Sequence, residues 1–291
     1  MQKISYTTSA GTVEIDDVNV SSLGGERVFR LNDFDGNSGK TRIEAVNCID
    51  MPGQRTLSVY PDVKTVTAKI AFAPVYLRGN RLRCTGAAGM YALRREVMRH
   101  FPLGENGTLT YTNSSGTYTI TARLDEIPVV SVKDGYLCEC TLMFTCDYPY
   151  WCKTVISEEQ TVTAGGTVTF TPTQHGDVDS PVGGIVRCTQ ALSGAGQDGI
   201  FFQLYDQAYQ AKCISFCKEM AANSTLEFSF LYNNKWSVLY NGQPSSDSVY
   251  FREYCEPCVS RPSGSTFVFD LWAASGGVSV KLVYHNLYVA I

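Results

Sequence analysis

Four cysteines in the second half of the chain have spacings that could hold a metal ion. Cys255 and Cys258 are separated by two residues, as in zinc knuckles and redox pairs. Cys213 and Cys217 would complete a four-sulfur zinc site. This second pair has three intervening residues, however, and nothing in the sequence brings the two pairs together. We therefore expect packing thiols, with neither a bound metal nor a cofactor, and the zinc cage is the alternative.

A polar loop in the first half partly imitates a calcium-binding loop. Asp33, Asp35, Asn37 and Glu44 stand at positions 1, 3, 5 and 12 of that pattern. Position 6 is Ser38, where the sharp turn of a calcium loop requires glycine. The flanking residues also favour strands over the helices of that motif. A connecting loop is therefore the expected structure.

A glycine-rich segment at 194–199 has the spacing of a nucleotide-binding loop. Such a loop binds phosphate because the N-terminus of a helix follows it. Here the apolar residues 200–204 follow, and their pattern predicts a strand. We interpret the segment as a loop that binds no nucleotide.

Signatures of catalysis are missing from the sequence. The three histidines, His100, His175 and His285, have no metal-binding or triad spacing. No Gly-x-Ser-x-Gly turn is present either. His285 lies in a predicted strand and is interpreted as structural. We predict that the protein is not an enzyme, and a cysteine site at Cys255 and Cys258 is the weakest alternative.

Three aromatic residues could bind a sugar on an exposed sheet, namely Trp236, Tyr240 and Trp272. Trp236, Val238 and Tyr240 share one face of a predicted strand, and the core of a β-sandwich produces the same alternation. Core burial is therefore the favoured interpretation, and sugar binding is the alternative.

The only convincing helix of the chain covers about residues 88–101. Its apolar residues recur at helical spacing. Pro102 ends it, because proline cannot continue the hydrogen-bond ladder. The apolar stripe consists of Met90, Leu93, Val97, Met98 and Phe101, with Tyr91 partly on the same side.

The remaining surface of this helix carries Arg94, Arg95 and Arg99. Between positions 78 and 99 there are six arginines and one acid, Glu96. Such a cluster could meet nucleic acid, but the net charge of −4 is not that of a typical nucleic-acid binder. A protein contact or a solvated face is the preferred interpretation.

The composition indicates a globular protein rich in β-structure. The 291 residues allow about two domains. Apolar residues make up 44% and charged residues 18%, a balance that excludes extensive disorder. The sequence shows no signal peptide and no apolar run of about 20 residues, the length of a membrane span. We expect folding in a cytoplasm, with the 11 cysteines mostly reduced.

Strands surround the helix on both sides, and they predict a mainly β fold. The first domain, residues 1–155, is expected to be a β-barrel or sheet with the single α-helix, which runs into a hairpin of strands at 108–111 and 117–121. The second domain, residues 160–291, has many short strands with regular turns and is expected to be a β-sandwich. Its predicted strands are 160–163, 167–171, 184–189, 200–205, 211–216, 226–232, 236–240, 249–254, 266–271 and 279–290.

Three segments share their pattern with one protein family. Residues 90–111 combine paired arginines on a helix, a Phe-Pro stop and a Gly-x-Leu-x-Tyr strand. In residues 142–151 an apolar strand and Cys146 precede Asp147 and Pro149, with Tyr148 inserted between them. The final strands at 278–291, after Gly264, also fit. Together these segments resemble the distal tail proteins of long-tailed phages, the Dit family.

The resemblance implies a structural hub of the tail tip or baseplate. In that family six copies of the first domain form a ring that continues the tail tube, and DNA passes through its lumen without specific binding. A galectin-like or jelly-roll sandwich points outward as a platform for adhesion proteins or, in some members, for sugar binding. The implied partners are other copies, the tail tube protein, tail-associated or adhesion proteins and a host-surface glycan.

The resemblance also implies a place in the virion tail and assembly in the host bacterial cytoplasm, without a membrane. A hub ring is thus the main hypothesis, with Arg94, Arg95 and Arg99 as the expected oligomer contact. A soluble carbohydrate-binding module with an accessory β-domain is the alternative. The basic helix distinguishes the two, because a ring needs a dedicated contact surface and a lone sugar module does not.

Overall fold

The computed structural model describes residues 2–17, 29–37, 39, 41–47, 54–72, 75–78, 81–84, 91, 95, 97–133, 137–209, 213–231, 235–245, 249–250 and 258–291. The chain divides into two compact units. The first contains Met1–Trp151 together with Val289–Ile291, and the second contains Cys152–Tyr288. The described part of the chain has no helical segment with the length and apolarity that a lipid bilayer demands.

The described part of the first unit consists of strands and one short helix. The helix is seen at the described positions 91, 95 and 97–100. The strands are β1 (Lys3–Thr8), β2 (Gly11–Asp16), β3 (Phe29–Asp35), β4 (Thr41–Asn47), β5 (Gln54–Pro61), β6 (Lys64–Phe72), β7 (Val75–Arg78), β8 (Arg81–Cys84), β9 (Gly107–Asn113), β10 (Gly116–Leu124), β11 (Val130–Lys133) and β12 (Leu137–Cys146).

Seven of these strands close into a barrel, in the order β12, β6, β3, β2, β1, β9 and β10, and β10 pairs again with β12. Neighbours are antiparallel, except that β2 and β3 pair in parallel at Asp16 and Arg30. β11 pairs with the first residues of β12. The last residues of β12 pair instead with β10, where Arg123 faces Thr145, and this pairing closes the barrel. The expected barrel with one helix is therefore confirmed.

Alternation along the strands determines which side chains fill this barrel. On β6, Val66, Ala68 and Ile70 are fully buried, and the residues between them are half-buried or exposed. On β12, Cys138 and Cys140 are buried within the same core, as their period-two spacing predicts. Two hairpins lie outside the barrel sheet, one formed by β4 and β5 and the other by β7 and β8.

The second unit is formed by short strands and one turn of 3₁₀ helix at Gln197–Gly199. The first strand, β13 (Trp151–Ile156), starts at Trp151, the residue before this unit, and continues into it. The other strands are β14 (Gln160–Thr163), β15 (Thr167–Phe170), β16 (Ser180–Pro181), β17 (Gly183–Ser193), β18 (Phe202–Asp206), β19 (Cys213–Phe216), β20 (Thr225–Leu231), β21 (Lys235–Tyr240), β22 (Gln243–Pro244), β23 (Val249–Tyr250), β24 (Val259–Ser260), β25 (Phe267–Leu271) and β26 (Ser275–Tyr288).

These strands form a sandwich of two sheets. One sheet has the order β13, β26, β17, β20, β21 and β22, and β14 also pairs with β26. The other has the order β15, β25, β18, β19 and β23, while β16 and β24 pair separately. Apolar residues from both sheets make one core cluster, in which Phe202 stacks on Phe216 and Phe269. The predicted β-sandwich is thus confirmed.

Candidate functional site

The helix of the first unit is held against the barrel by its apolar face. Val97 and Phe101 are buried, with 0% and 1% of their surface exposed. The Phe101 ring stacks on Tyr6 at 5.7 Å between centroids and lies edge-on to Phe144 at 6.2 Å. Aromatic pairs of this geometry add stability beyond the area that they bury. Phe101 therefore fixes the position of the helix on the barrel.

Hydrogen bonds fix the chain where it leaves the helix. The Tyr6 hydroxyl donates to the carbonyl oxygens of Glu105 at 3.1 Å and Ala122 at 3.2 Å. Burial, followed by the nearby charges of Glu105 and Cys146, raises the pKa of Tyr6 to about 12. This hydroxyl therefore stays protonated at neutral pH and serves structure. A side chain at Gly107 would meet the carbonyl oxygen of Thr7 at 2.6 Å, so this crossing of the chain requires glycine.

The opposite face of the helix is a basic surface. Arg95 and Arg99 are exposed and four residues apart, so both side chains lie on one face. Neither makes an ion pair within the described part of the chain. Arg94, the third residue of the expected oligomer contact, lies outside the described residues. Tyr91 is 65% exposed and precedes Arg95 by one turn, so its partial assignment to the apolar stripe was wrong.

The three aromatic residues considered for sugar binding are not brought together in the described structure. The Tyr240 ring, on β21, lies 5.1 Å from the Lys218 ammonium, and its hydroxyl accepts a hydrogen bond from the Ala221 amide at 3.4 Å. Trp272 follows β25 in the other sheet. The side chain of Trp236 lies outside the described residues. Trp272 lines a cleft of the second unit.

Described cysteines of the second unit pack in the protein rather than converge on one point. Cys213 and Cys258 are buried, and the Cys258 thiol lies 3.9 Å from the carbonyl oxygen of Leu204. Cys217 is half-buried, and Cys255 lies outside the described residues. Across the residues that the structure describes, histidine, cysteine and acidic side chains nowhere form a group of three or more that could hold a metal ion.

The two loops that imitate binding motifs have other roles. Lys69 pairs with Asp33 at 2.9 Å, and Asp35 accepts the amide of Asn37. Glu44 belongs to the separate β4–β5 sheet, so these oxygens do not form a calcium loop. In the glycine-rich loop, a Cβ on Gly196 would lie 2.8 Å from the Trp272 Cβ. No helix follows that loop, because β18 begins at Phe202.

His285 has a structural environment within β26. Its Nδ1 lies 3.2 Å from the Thr154 hydroxyl. Burial lowers the pKa of His285 from its usual 6.5. The imidazole is therefore held neutral, which agrees with a structural interpretation.

A buried lysine in the first unit was not found from the sequence. Lys64 has 1% of its surface exposed, and its ammonium donates to the carbonyl oxygen of Val289 at 2.6 Å. The ammonium lies 6.0 Å from the centre of the Trp151 ring, and burial lowers the pKa of Lys64. The amide of Ile291 donates to Asn37 at 2.9 Å. These contacts explain why residues 289–291 belong to the first unit.

Two clefts open on the second unit. One, of about 450 Å³, contains a buried ion pair in which Arg261 donates to Asp206 at 2.8 Å, and the guanidinium lies 4.5 Å from the Tyr209 ring. The other, of about 390 Å³, is lined by Trp272, Asp270, Thr167 and glycine backbone. Sequence reasoning found only Trp272, because Thr167 and the glycines come from distant parts of the chain and Asp270 belongs to no local binding motif.

Solved structures show which fold this is. The chain matches the Dit protein of phage SPP1, described as a paradigm of the hub adsorption apparatus in phages that infect Gram-positive bacteria, with a TM-score of 0.60, 10% identity and 98% of each chain covered. It also matches a chain of the phage P2 baseplate in its activated conformation with calcium, with a TM-score of 0.52, 9% identity and 97% of each chain covered. The chain has the fold of the phage Dit proteins.

The likeness to the Dit fold is structural. No protein-family model matches the chain, and no curated protein matches it in sequence. The coverage of 98% on both sides means that both units of the chain, in the same order, have counterparts in the SPP1 Dit protein. At 10% identity the likeness extends to the fold, and individual side chains have to be judged from their own contacts.

Proposed function

We propose that the protein is a structural hub of a phage tail tip, assembled as a hexameric ring that joins the tail tube to the fibre or adhesion apparatus. The observation that carries this proposal is the full-length match to a Dit hub protein, with both units present. In this proposal the first unit forms the ring, and DNA passes through its lumen without specific binding. The second unit faces outward and receives tail-associated or adhesion proteins.

The hub proposal includes a place in the virion tail and assembly in the host cytoplasm, and it assigns no catalytic activity. The neighbours that share the fold are described as hub and baseplate proteins. A hub does not require that its second unit binds a host-surface glycan, so carbohydrate binding is a separate property of that unit.

The ring contact is proposed to include the basic helix face, with Arg94, Arg95 and Arg99. A closed ring repeats one head-to-tail contact, so each copy needs two different and complementary surfaces. Arg95 and Arg99 are exposed on a helix whose other face is locked into the barrel core. Changing an exposed charge of this kind usually alters the stability of the monomer by less than about 0.5 kcal/mol, and the charge is available to a neighbour.

The acidic side of the contact should come from a carboxylate that is unpaired within its own chain. Most acids in the described part of the first unit are engaged, as Asp125 and Asp147 are with Arg123. Glu126 is exposed in the loop after β10 and makes no ion pair within the described residues. It is flanked by Ile127, whose side chain is 66% exposed. We infer that Glu126 faces Arg95 or Arg99 of the next copy.

The test is the mass of the purified full chain by analytical ultracentrifugation, with images of the particles by negative-stain electron microscopy. We expect a ring-sized species for the wild type. Arg95→Glu with Arg99→Glu should leave circular dichroism unchanged and abolish the ring, because like charges would then face Glu126 at every joint. Adding Glu126→Arg to this double variant should restore part of the ring.

Arg30→Glu is the matched control, since Arg30 is also exposed on the first unit but lies on β3 and not on the helix. The Arg30→Glu variant should still form the ring. A wild-type protein that sediments as a monomer at all concentrations contradicts the hub proposal. A ring that survives the double variant contradicts only the assignment of this face.

A further inference from the structure

We propose that the cleft lined by Trp272, Asp270 and Thr167 is a binding site for a neutral hexopyranose unit of a glycan. This site is independent of the ring, because all its residues belong to the second unit. The inference rests on three features of the cleft: an aromatic wall in a fixed position, a polar wall with unused acceptors, and a floor without side chains.

The aromatic wall is held in place by the backbone. The amides of Trp272 and Ala273 both donate to the carbonyl oxygen of Phe201, at 2.7 and 3.0 Å. Gly196 packs so closely that a Cβ there would lie 2.8 Å from the Cβ of Trp272. The Trp272 side chain is half-buried, so part of the indole remains accessible from the cleft. A rigid indole can pack on the C–H face of a sugar ring without a large ordering cost.

The polar wall consists of a carboxylate with an adjacent hydroxyl. The Thr167 hydroxyl donates to Oδ1 of Asp270 at 2.7 Å, and the Tyr205 hydroxyl also donates to this carboxylate. The two bonds orient the carboxylate and use two of its roughly four acceptor positions. Acceptor positions remain for ligand hydroxyl groups, and hydrogen bonds to a charged acceptor are stronger than neutral ones. Two neighbouring hydroxyls of a pyranose match such a carboxylate.

The floor consists of glycine backbone at the turn between β14 and β15. The Gly165 amide donates to the Leu271 carbonyl, and the Leu271 amide donates to the Gly166 carbonyl, both at 2.9 Å. Gly165 has a φ of +72°, a conformation that favours glycine. Without side chains in the turn, a ligand can approach the backbone closely.

Charge and size select the class of ligand. The lining contains one carboxylate and neither lysine nor arginine, so phosphates and acidic sugars are disfavoured. The cavity volume of about 390 Å³ lies within the usual range for small-molecule sites. A flat apolar face beside a hydroxyl edge is the chemistry of a neutral pyranose.

The experiment titrates the full-length protein with glucose, galactose and N-acetylglucosamine, followed by isothermal titration calorimetry and by tryptophan fluorescence. At least one sugar should bind with a Kd on the order of 1 mM and change the emission. Trp272→Ala and Asp270→Ala should each weaken binding tenfold or more. Asp270→Asn, which keeps the oxygen that accepts from Thr167, should weaken it less than Asp270→Ala.

Tyr209→Ala is the matched control, because it removes an exposed aromatic ring of the same unit that lies against Arg261 of the other cleft. Its sugar affinity should equal that of the wild type. Circular dichroism and the sedimentation of each variant separate loss of the site from loss of the fold or of the ring. The proposal is overturned if none of the three sugars binds the wild type, or if Trp272→Ala binds as well as the wild type.

Discussion

The two units bury their apolar side chains in different ways. In the first, seven strands close on themselves, and the pairing of β10 with β12 leaves the barrel without a free edge. Its interior is filled by rings such as Tyr6, Phe101 and Phe144, which contact one another. In the second, two open sheets enclose a layer of apolar side chains. Closure favours a rigid body, which the proposed ring would require.

The sandwich carries more polar chemistry inside and at its ends. Asp206 is fully buried and is held by Arg261. Among the described residues, the buried hydroxyls of Ser215 and Ser260 have no hydrogen-bond partner. Buried polar groups cost free energy unless they are paired, so most of them have hydrogen-bond partners. The comparison teaches that the barrel closes its strand pairing on itself, whereas the sandwich keeps open sheets and more buried polar groups.

The largest effect should come from the aromatic side chain of Phe101, which joins the helix to the barrel. Phe101→Ala removes a buried aromatic side chain and should lower the free energy of unfolding of the first unit by about 3–5 kcal/mol. Differential scanning calorimetry at a fixed protein concentration should show one transition shifted and the other unchanged. Phe269→Ala, a matched change in the sandwich core, should shift the opposite transition. A single transition that both variants shift equally would show that the units unfold together.

Separate fragments of the two units should differ in how much stability they retain. A fragment of residues 152–288 contains the whole sandwich unit, and we expect it to unfold cooperatively on heating. A fragment of residues 1–151 lacks the acceptor at Val289 and the donor at Ile291, so it should be less stable than the barrel of the full chain by about 1–3 kcal/mol.

Adding a synthetic peptide of residues 284–291 in excess should recover part of that loss. Thermal unfolding followed by circular dichroism measures both fragments. Equal stability of the barrel with and without residues 289–291 would contradict the role given to Lys64 and Asn37. A sandwich fragment without a cooperative transition would contradict its independence.

How far the sequence predicts this structure depends on the range of the contacts. The strands at 160–163 and 108–111 were predicted from local alternation, and they appear in β14 and β9. Closure of the barrel pairs Lys3 with Thr112, and no local pattern encodes such a distant partner. The sequence likewise identified Trp272 by residue type. It missed Asp270 and Thr167, which are 103 residues apart and meet only through the pairing of β15 with β25.

The smallest effect should be a pH dependence confined to the sandwich. The pKa of His285 is lowered in the folded state, so the unfolded chain binds its proton first as the pH falls. The contribution of the neutral imidazole is therefore complete above the usual pKa of 6.5 and is lost as the pH falls below it. Calorimetry at pH 7.5 and pH 5 should show this loss in the sandwich transition, and His285→Asn should reduce it. A loss of the same size in the variant would assign the effect to other groups.

The docking of residues 289–291 on the first unit also has a consequence for biosynthesis. Translation produces the barrel strands first, and then the 137 residues from Cys152 to Tyr288. At elongation rates of about 5–20 residues per second this interval lasts roughly 10 s. Throughout it, Lys64 has not yet met the Val289 carbonyl and Asn37 has not met the Ile291 amide. A nascent or truncated chain therefore has a barrel without these two contacts. All residues of the sandwich have been synthesised before residues 289–291 can complete the barrel.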